Sequence, residues 1–144
     1  MKNAQKFMTF LFVAFCFTAC QEKISDKQAE YKTTMDEVLV MHDSLMTKMG
    51  PINKNIQKLK DREGIDQGKK EKLIANLEKS HDKMMTWMQE FGKSFPNALD
   101  EKKLSEKQLK KKLPAIKDEK RKMQDIKEMT QESLKEARDV LKNK

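Results

Sequence analysis

The sequence predicts an all-α fold: an up-down-up bundle of three long, Pro-kinked helices packed in the manner of a coiled coil. Three observations carry that prediction. The chain of 144 residues holds only four Gly and three Pro, while Lys, Glu, Gln, Met and Leu, all good helix formers, dominate. Apolar residues recur in alternating steps of four and three, which is the helical period. Two short breaks, at Gly64 and at Pro96-Asn97, divide the periodic stretches. A length of 144 residues suits one domain. A long coiled-coil homodimer, parallel or antiparallel, is the competing arrangement.

In the first helix the seam reads Tyr31, Met35, Val38, His42, Leu45, Met49, Ile52, Ile56 and Leu59, reinforced beside it by Leu39, Met41 and Met46. Asp26 is placed to cap its start. Gly50-Pro51 interrupts the composition but not the register. The expectation is therefore one kinked helix rather than two, because proline removes one ladder bond and bends the rod.

Gly64 suits the end of that helix and Asp66 the cap of the next. The second seam reads Ile74, Leu77, His81, Met84, Met88, Phe91 and Phe95. A turn this short forces the two helices antiparallel. Centring it on Ile65 makes the numbers of facing residues sum to about 130. Ile56 then faces Ile74, Ile52 faces Leu77, Leu45 faces Met85, and Met35 faces Phe95.

Asn97 to Lys103 makes the second connection. Leu104-Ser105-Glu106-Lys107-Gln108 then reads as a capping box, with Ser105 as N-cap and Gln108 at the third helical position. The third stripe is Leu109, Leu113, Ile116, Met123, Ile126, Met129 or Thr130, Leu134, Ala137 and Leu141. Pro114 is expected to kink or break this helix near its start.

The N-terminus carries an address. Lys2 and Lys6 form a positive region, and Phe7 to Phe17 is an apolar run of eleven interrupted only by Thr9. That is too short to span a bilayer, which takes roughly 20 apolar residues, but has the length of a signal-peptide core. The run ends in Phe17-Thr18-Ala19-Cys20, which resembles the lipobox of bacterial lipoproteins, with Phe17 in place of the usual Leu. The resemblance implies that cleavage leaves Cys20 first, its thiol joined to diacylglycerol. Cys16 is then discarded and the mature chain has no free thiol. The implied organisation is a signal peptide over 1–19, a lipidated cysteine and tether over 20–25, and a helical bundle over 26–144. Gln21 after the cysteine implies, by enterobacterial sorting, the outer membrane. The bilayer is thus the first expected partner, held through acyl chains that each contribute ~0.8 kcal/mol per buried CH₂.

Charge is concentrated. Lys102, Lys103, Lys107, Lys110, Lys111, Lys112, Lys117, Lys120, Arg121 and Lys122 face only Glu106, Asp118 and Glu119 in the same stretch, so the segment is +7 where the mature chain is +6. An exported protein rarely meets nucleic acid, so the class of partner this patch suits is an anionic lipid head group or an acidic protein. A solvated face that keeps the protein soluble explains it as well.

Residues 42–49 and 81–88 both read His-Asp-x-x-Met-Thr-x-Met. On a helix the His and the two positions occupied by Met share a face. The register of about 130 brings His42 opposite Met88 and Met49 opposite His81, with Met46 and Met85 flanking. The repeat reads first as core, since methionine is an adaptable filler of helical interiors. It reads second as a soft-metal site for Cu(I) or Ag(I), which thioether and imidazole donors suit. Asp43 and Asp82 adjoin the histidines in sequence, but neighbouring positions diverge on a helix, so no His–Asp dyad is expected.

Enzymatic chemistry finds no constellation to rest on. The mature chain keeps no thiol, there is no glycine-rich phosphate loop, and two histidines do not make a zinc site unaided. Residues 42–50 and Met84-Met85-Thr86-Trp87-Met88, with the lipobox, resemble small helical lipoproteins, some labelled "viral A-type inclusion protein". Leu104-Ser105-Glu106-Lys107-Gln108 resembles the L-T-x-x-Q motif of periplasmic helical chaperones of the Spy and CpxP type, with Ser for Thr and a single copy. The function expected is that of a non-enzymatic, membrane-anchored interaction module. Soft-metal binding and a chaperone role for unfolded clients are the alternatives.

Overall fold

A computed structural model of the chain describes residues 2–100 and 103–142, with side chains from Ile24 onward. The lipobox-like segment, Cys20 included, and Lys102 therefore lie outside the residues whose side chains are described. Three helices follow in order: α1, Lys2–Asp61; α2, Gln67–Ser94; and α3, Glu106–Lys142. The three pack against one another, α1 more extensively on α3 than on α2.

The directions follow from cross-helix contacts. His42 on α1 meets Trp87 on α2, and the Lys70 ammonium reaches the Lys60 carbonyl, pairs whose numbers sum to 129 and 130. That is the antiparallel register the hydrophobic pattern predicts. Lys117 and Lys120 of α3 pair with Glu30 and Glu37 of α1, so these two helices run parallel. Asn76 meets Glu136 while Trp87 meets Glu119, so α2 and α3 are antiparallel. The arrangement is up-down-up.

Local chemistry sets the ends. α1 stops at Asp61, and Gly64 takes a left-handed φ of 77°, a conformation that costs glycine nothing and other residues roughly 1 kcal/mol. Asp66 caps α2, its carboxylate accepting from the Lys69 amide at 2.9 Å. The capping box of α3 is formed: the Gln108 side chain accepts from the Ser105 amide at 2.8 Å, and Ser105 Oγ accepts from the Gln108 amide at 3.4 Å. Gln28 Oε1 accepts from the Leu104 amide at 2.9 Å and ties that connection to α1.

Two expectations change, at Asp26 and Pro114, and the expectation of one helix across Pro51 holds. Asp26 lies inside α1 rather than at its start, because the helix already runs through the preceding residues. Pro51 sits within one uninterrupted helix, its two sides held by the buried Met49 and Ile52. Pro114 does not break α3, because Leu109 and Ile116 bury on either side of it and hold both segments to the same core. One missing ladder bond is outweighed where apolar contacts continue across it.

The interior is a continuous column that includes Val38, Ile52, Leu59, Leu77, Met84, Ile116 and Met123, all inaccessible. It is not wholly apolar. Ser80 and Ser133 sit 3.2 Å apart within it, Ser80 also donating to the Asn76 carbonyl at 2.9 Å. Thr130 Oγ1 is buried with no hydrogen-bond partner.

Candidate functional site

One side chain from each helix meets in the middle of the bundle. Trp87, 4% exposed, donates its indole N–H to Glu119 Oε2 at 2.7 Å. Glu119 is itself buried, and its other oxygen accepts from Lys122 Nζ at 2.9 Å. A buried carboxylate is costly unless it is paired and hydrogen-bonded, and here both oxygens are engaged. The hydrogen bond to Glu119, joined by Asp118 at 3.3 Å, holds the Lys122 ammonium above the ordinary lysine range, against the opposing effect of desolvation.

Trp87 stacks on Phe91 with ring centroids 4.6 Å apart, and Phe91 on Phe95 at 5.0 Å, a ladder made by the i, i+4 spacing of α2. His42 of α1 lies against the indole at 5.8 Å. Its Nδ1 is 3.0 Å from Asp43 Oδ1, and its Nε2 is buried without a partner. In the tautomer that donates from Nδ1 to this carboxylate, Nε2 is the nitrogen that carries the lone pair. His81 Nδ1 lies 3.5 Å from Asp82 Oδ1 in the same relation. The expectation that adjacent positions would not meet is thus corrected: backbone directions diverge, but both side chains are long enough to fold back and touch.

The repeat is only partly drawn together. Met49 is buried and Met85 and Met88 are half-buried, whereas Met46 is 38% exposed and does not flank the interior. His42 and His81 are also half-buried, their side chains 21% and 34% exposed. Among the described residues no three His, Cys, Asp or Glu side chains gather as a metal set.

The inward face of α2 is Leu73, Leu77, Ser80, Met84, Trp87 and Phe91. Ile74, His81 and Met88, assigned inward from the sequence, are half-buried flanks one position round. Both stripes step by three and four and share Leu77, Met84 and Phe91. The signal that separates them is Trp87, the largest residue on the helix, at the correct spacing between Met84 and Phe91. Glu119 and Ser133 gave no such signal, being polar residues inside a polar helix.

The basic segment divides in two. Lys117 and Lys120 are taken up by Glu30 and Glu37, and Arg121 and Lys122 by Asp118 and Glu119. Lys103, Lys107, Lys110, Lys111 and Lys112 have no ion-pair partner among the described residues. They cluster at the start of α3, beside Gln28 of α1.

Fold and site define an all-α three-helix bundle stapled across its middle by a Trp–Glu–Lys chain. No family model, curated protein or solved structure matches the chain. No helix, among the described residues, is long and apolar enough to cross a membrane.

Proposed function

We propose that the chain is a non-enzymatic lipoprotein of the bacterial cell envelope, anchored through acylated Cys20, whose helical bundle acts as an interaction module. The observation that carries this reading is an order: positive residues, an apolar run, Thr18-Ala19-Cys20, then a bundle whose interior begins at Thr34 and Met35. The free lysines support it. Cys20 and Gln28 are ~12 Å apart along a helix at 1.5 Å per residue, so the start of α3 lies close to a bilayer holding Cys20. Each lysine near an anionic surface contributes about 1 kcal/mol. Anionic head groups of the anchoring membrane are therefore the partner these residues fit. Expression in a bacterium fed labelled palmitate tests the anchor. Label and membrane association are expected in the parent chain and lost in Cys20→Ser; an exported parent chain without label would overturn the reading.

One observation favours a second reading, a Cu(I) or Ag(I) site. His42 Nε2 is buried and unpartnered, and the Asp43 carboxylate at Nδ1 orients the ring as carboxylates behind metal-binding histidines do. Met88 is the thioether the register allots to it, as Met49 is allotted to His81; Met46, being exposed, is allotted to neither. Titration with Cu(I) against a competing chelator decides. Affinity no tighter than micromolar, unchanged by His42→Ala with His81→Ala, removes the reading.

A further inference from the structure

A groove of about 810 Å³ runs between α1 and α3 at the end of the bundle away from the start of α3, in the range of drug-sized ligand sites. Five cations line it: Lys48, Lys54 and Lys58 from α1, and Lys135 and Arg138 from α3. No carboxylate does. Lys48, Lys54 and Lys58 have no ion-pair partner among the described residues. Lys135 has only Asp139 at 3.8 Å, both side chains being well exposed, and Arg138 gives its Nε to the Leu134 carbonyl at 3.1 Å.

The backbone makes room for the groove. Gly50 presents no side chain, and a Cβ built there would meet nothing within 4 Å. Pro51 and Leu134 supply an apolar floor, and Asn55 and Gln131 add neutral amides. Like charges held around a concave, partly apolar wall repel one another unless an anion sits among them, and such a wall focuses their field.

We infer that this groove binds a small soluble polyanion bearing phosphate or carboxylate groups, its charges on Lys54, Lys58 and Arg138 and its body on Pro51 and Leu134. Binding itself does not require lipidation; the choice of a soluble ligand over lipid rests on the anchor proposed above. The location favours a soluble ligand over the head groups of an anchoring bilayer: Lys54 lies ~39 Å along α1 from Gln28, several Debye lengths at physiological salt.

The test uses the full chain in nonionic detergent, titrated calorimetrically with tripolyphosphate and with citrate at low and at physiological salt. Saturable 1:1 binding of either probe is expected. Lys54→Gln with Arg138→Gln should weaken it at least tenfold, whereas Lys110→Gln with Lys111→Gln, the same charge change at the other end, should leave it within twofold. Gly50→Leu, which puts a side chain into open space in the groove, should weaken binding without lowering the melting temperature, and so decides the matter even if the charge variant folds poorly. Equal losses in both charge variants, or no saturable binding, would overturn the inference. So would association only with phosphatidylglycerol vesicles, lost on changing Lys54 and Arg138, since the source would then be lipid.

Discussion

Trp87 and Glu119 form the only buried side-chain hydrogen bond between an aromatic residue and a carboxylate among the described residues, at 2.7 Å and 32 positions apart in sequence. The two are unequal partners. Removing the indole donor leaves a carboxylate oxygen unpaired in a desolvated place, whereas removing the carboxylate leaves one N–H unmade and the half-exposed Lys122 ammonium still beside Asp118. Trp87→Phe should therefore destabilise the bundle by about 2 kcal/mol or more, beyond the loss of ring area. Trp87→Phe combined with Glu119→Leu should recover much of that loss. Urea unfolding of the two single variants and the double variant measures it; a double variant no more stable than Trp87→Phe would contradict the assignment.

Alkaline pH should weaken the same chain of contacts. Lys122 has its proton held more tightly in the folded state than in the unfolded one, chiefly by Glu119. The stability it contributes is fully present below the ordinary lysine pKa, about 10.4, and is lost as pH rises through the raised folded value. Lys122 is 46% exposed, so solvent screening keeps the effect modest. The difference in denaturation midpoint between the parent chain and Lys122→Met should hold steady from pH 7 to ~10 and narrow above it.

Thr130 is inaccessible and its hydroxyl has no partner. Valine replaces that hydroxyl with a methyl group of similar size. Thr130→Val should raise stability by about 1 kcal/mol, since a buried polar group without a hydrogen bond costs 1–3 kcal/mol. Calorimetric melting of the variant reads the sign directly.

Two glycines should respond in opposite directions. Gly92 is exposed within α2, and a Cβ there meets nothing within 4 Å. Gly92→Ala should stabilise by about 0.5–1 kcal/mol through helix propensity. Gly64 at φ 77° has equal space but the wrong backbone for a side chain, so Gly64→Ala should cost roughly 1 kcal/mol. Thermal unfolding of the pair separates conformation from crowding.

The lysines at the start of α3 should carry membrane contact. Lys107→Gln, Lys110→Gln and Lys111→Gln together should reduce association of the unlipidated chain with phosphatidylglycerol vesicles by on the order of 100-fold at low salt. Phosphatidylcholine vesicles, as the comparison, should show no change. Sedimentation of the vesicles gives both numbers.

Much of the fold was legible in the sequence because it depends on period and punctuation. Ser105 and Gln108, Asp66, and the register joining His42 to the region of Met88 all follow from spacing alone. What was not legible required the third helix. A 4-3 pattern on α2 fits two adjacent stripes, and the choice between them depends on what α3 presents. Glu119 selects Trp87, and Ser133 selects Ser80. The basic segment shows the same limit: composition counts Lys117 and Lys120 as free, while packing brings Glu30 and Glu37 from α1 to meet them. The groove between Lys54 and Arg138 was invisible for a related reason, since its charges come from two segments far apart in the chain.

Because α1 and α3 run the same way with α2 reversed between them in the chain, tension from the Ile24 end of α1 to the Lys142 end of α3 draws those two rods past each other lengthwise. Such sliding loads the aromatic, serine and aliphatic layers together rather than peeling them apart in turn. The bundle is therefore built to resist stretching along its axis more stiffly than prising open from the side.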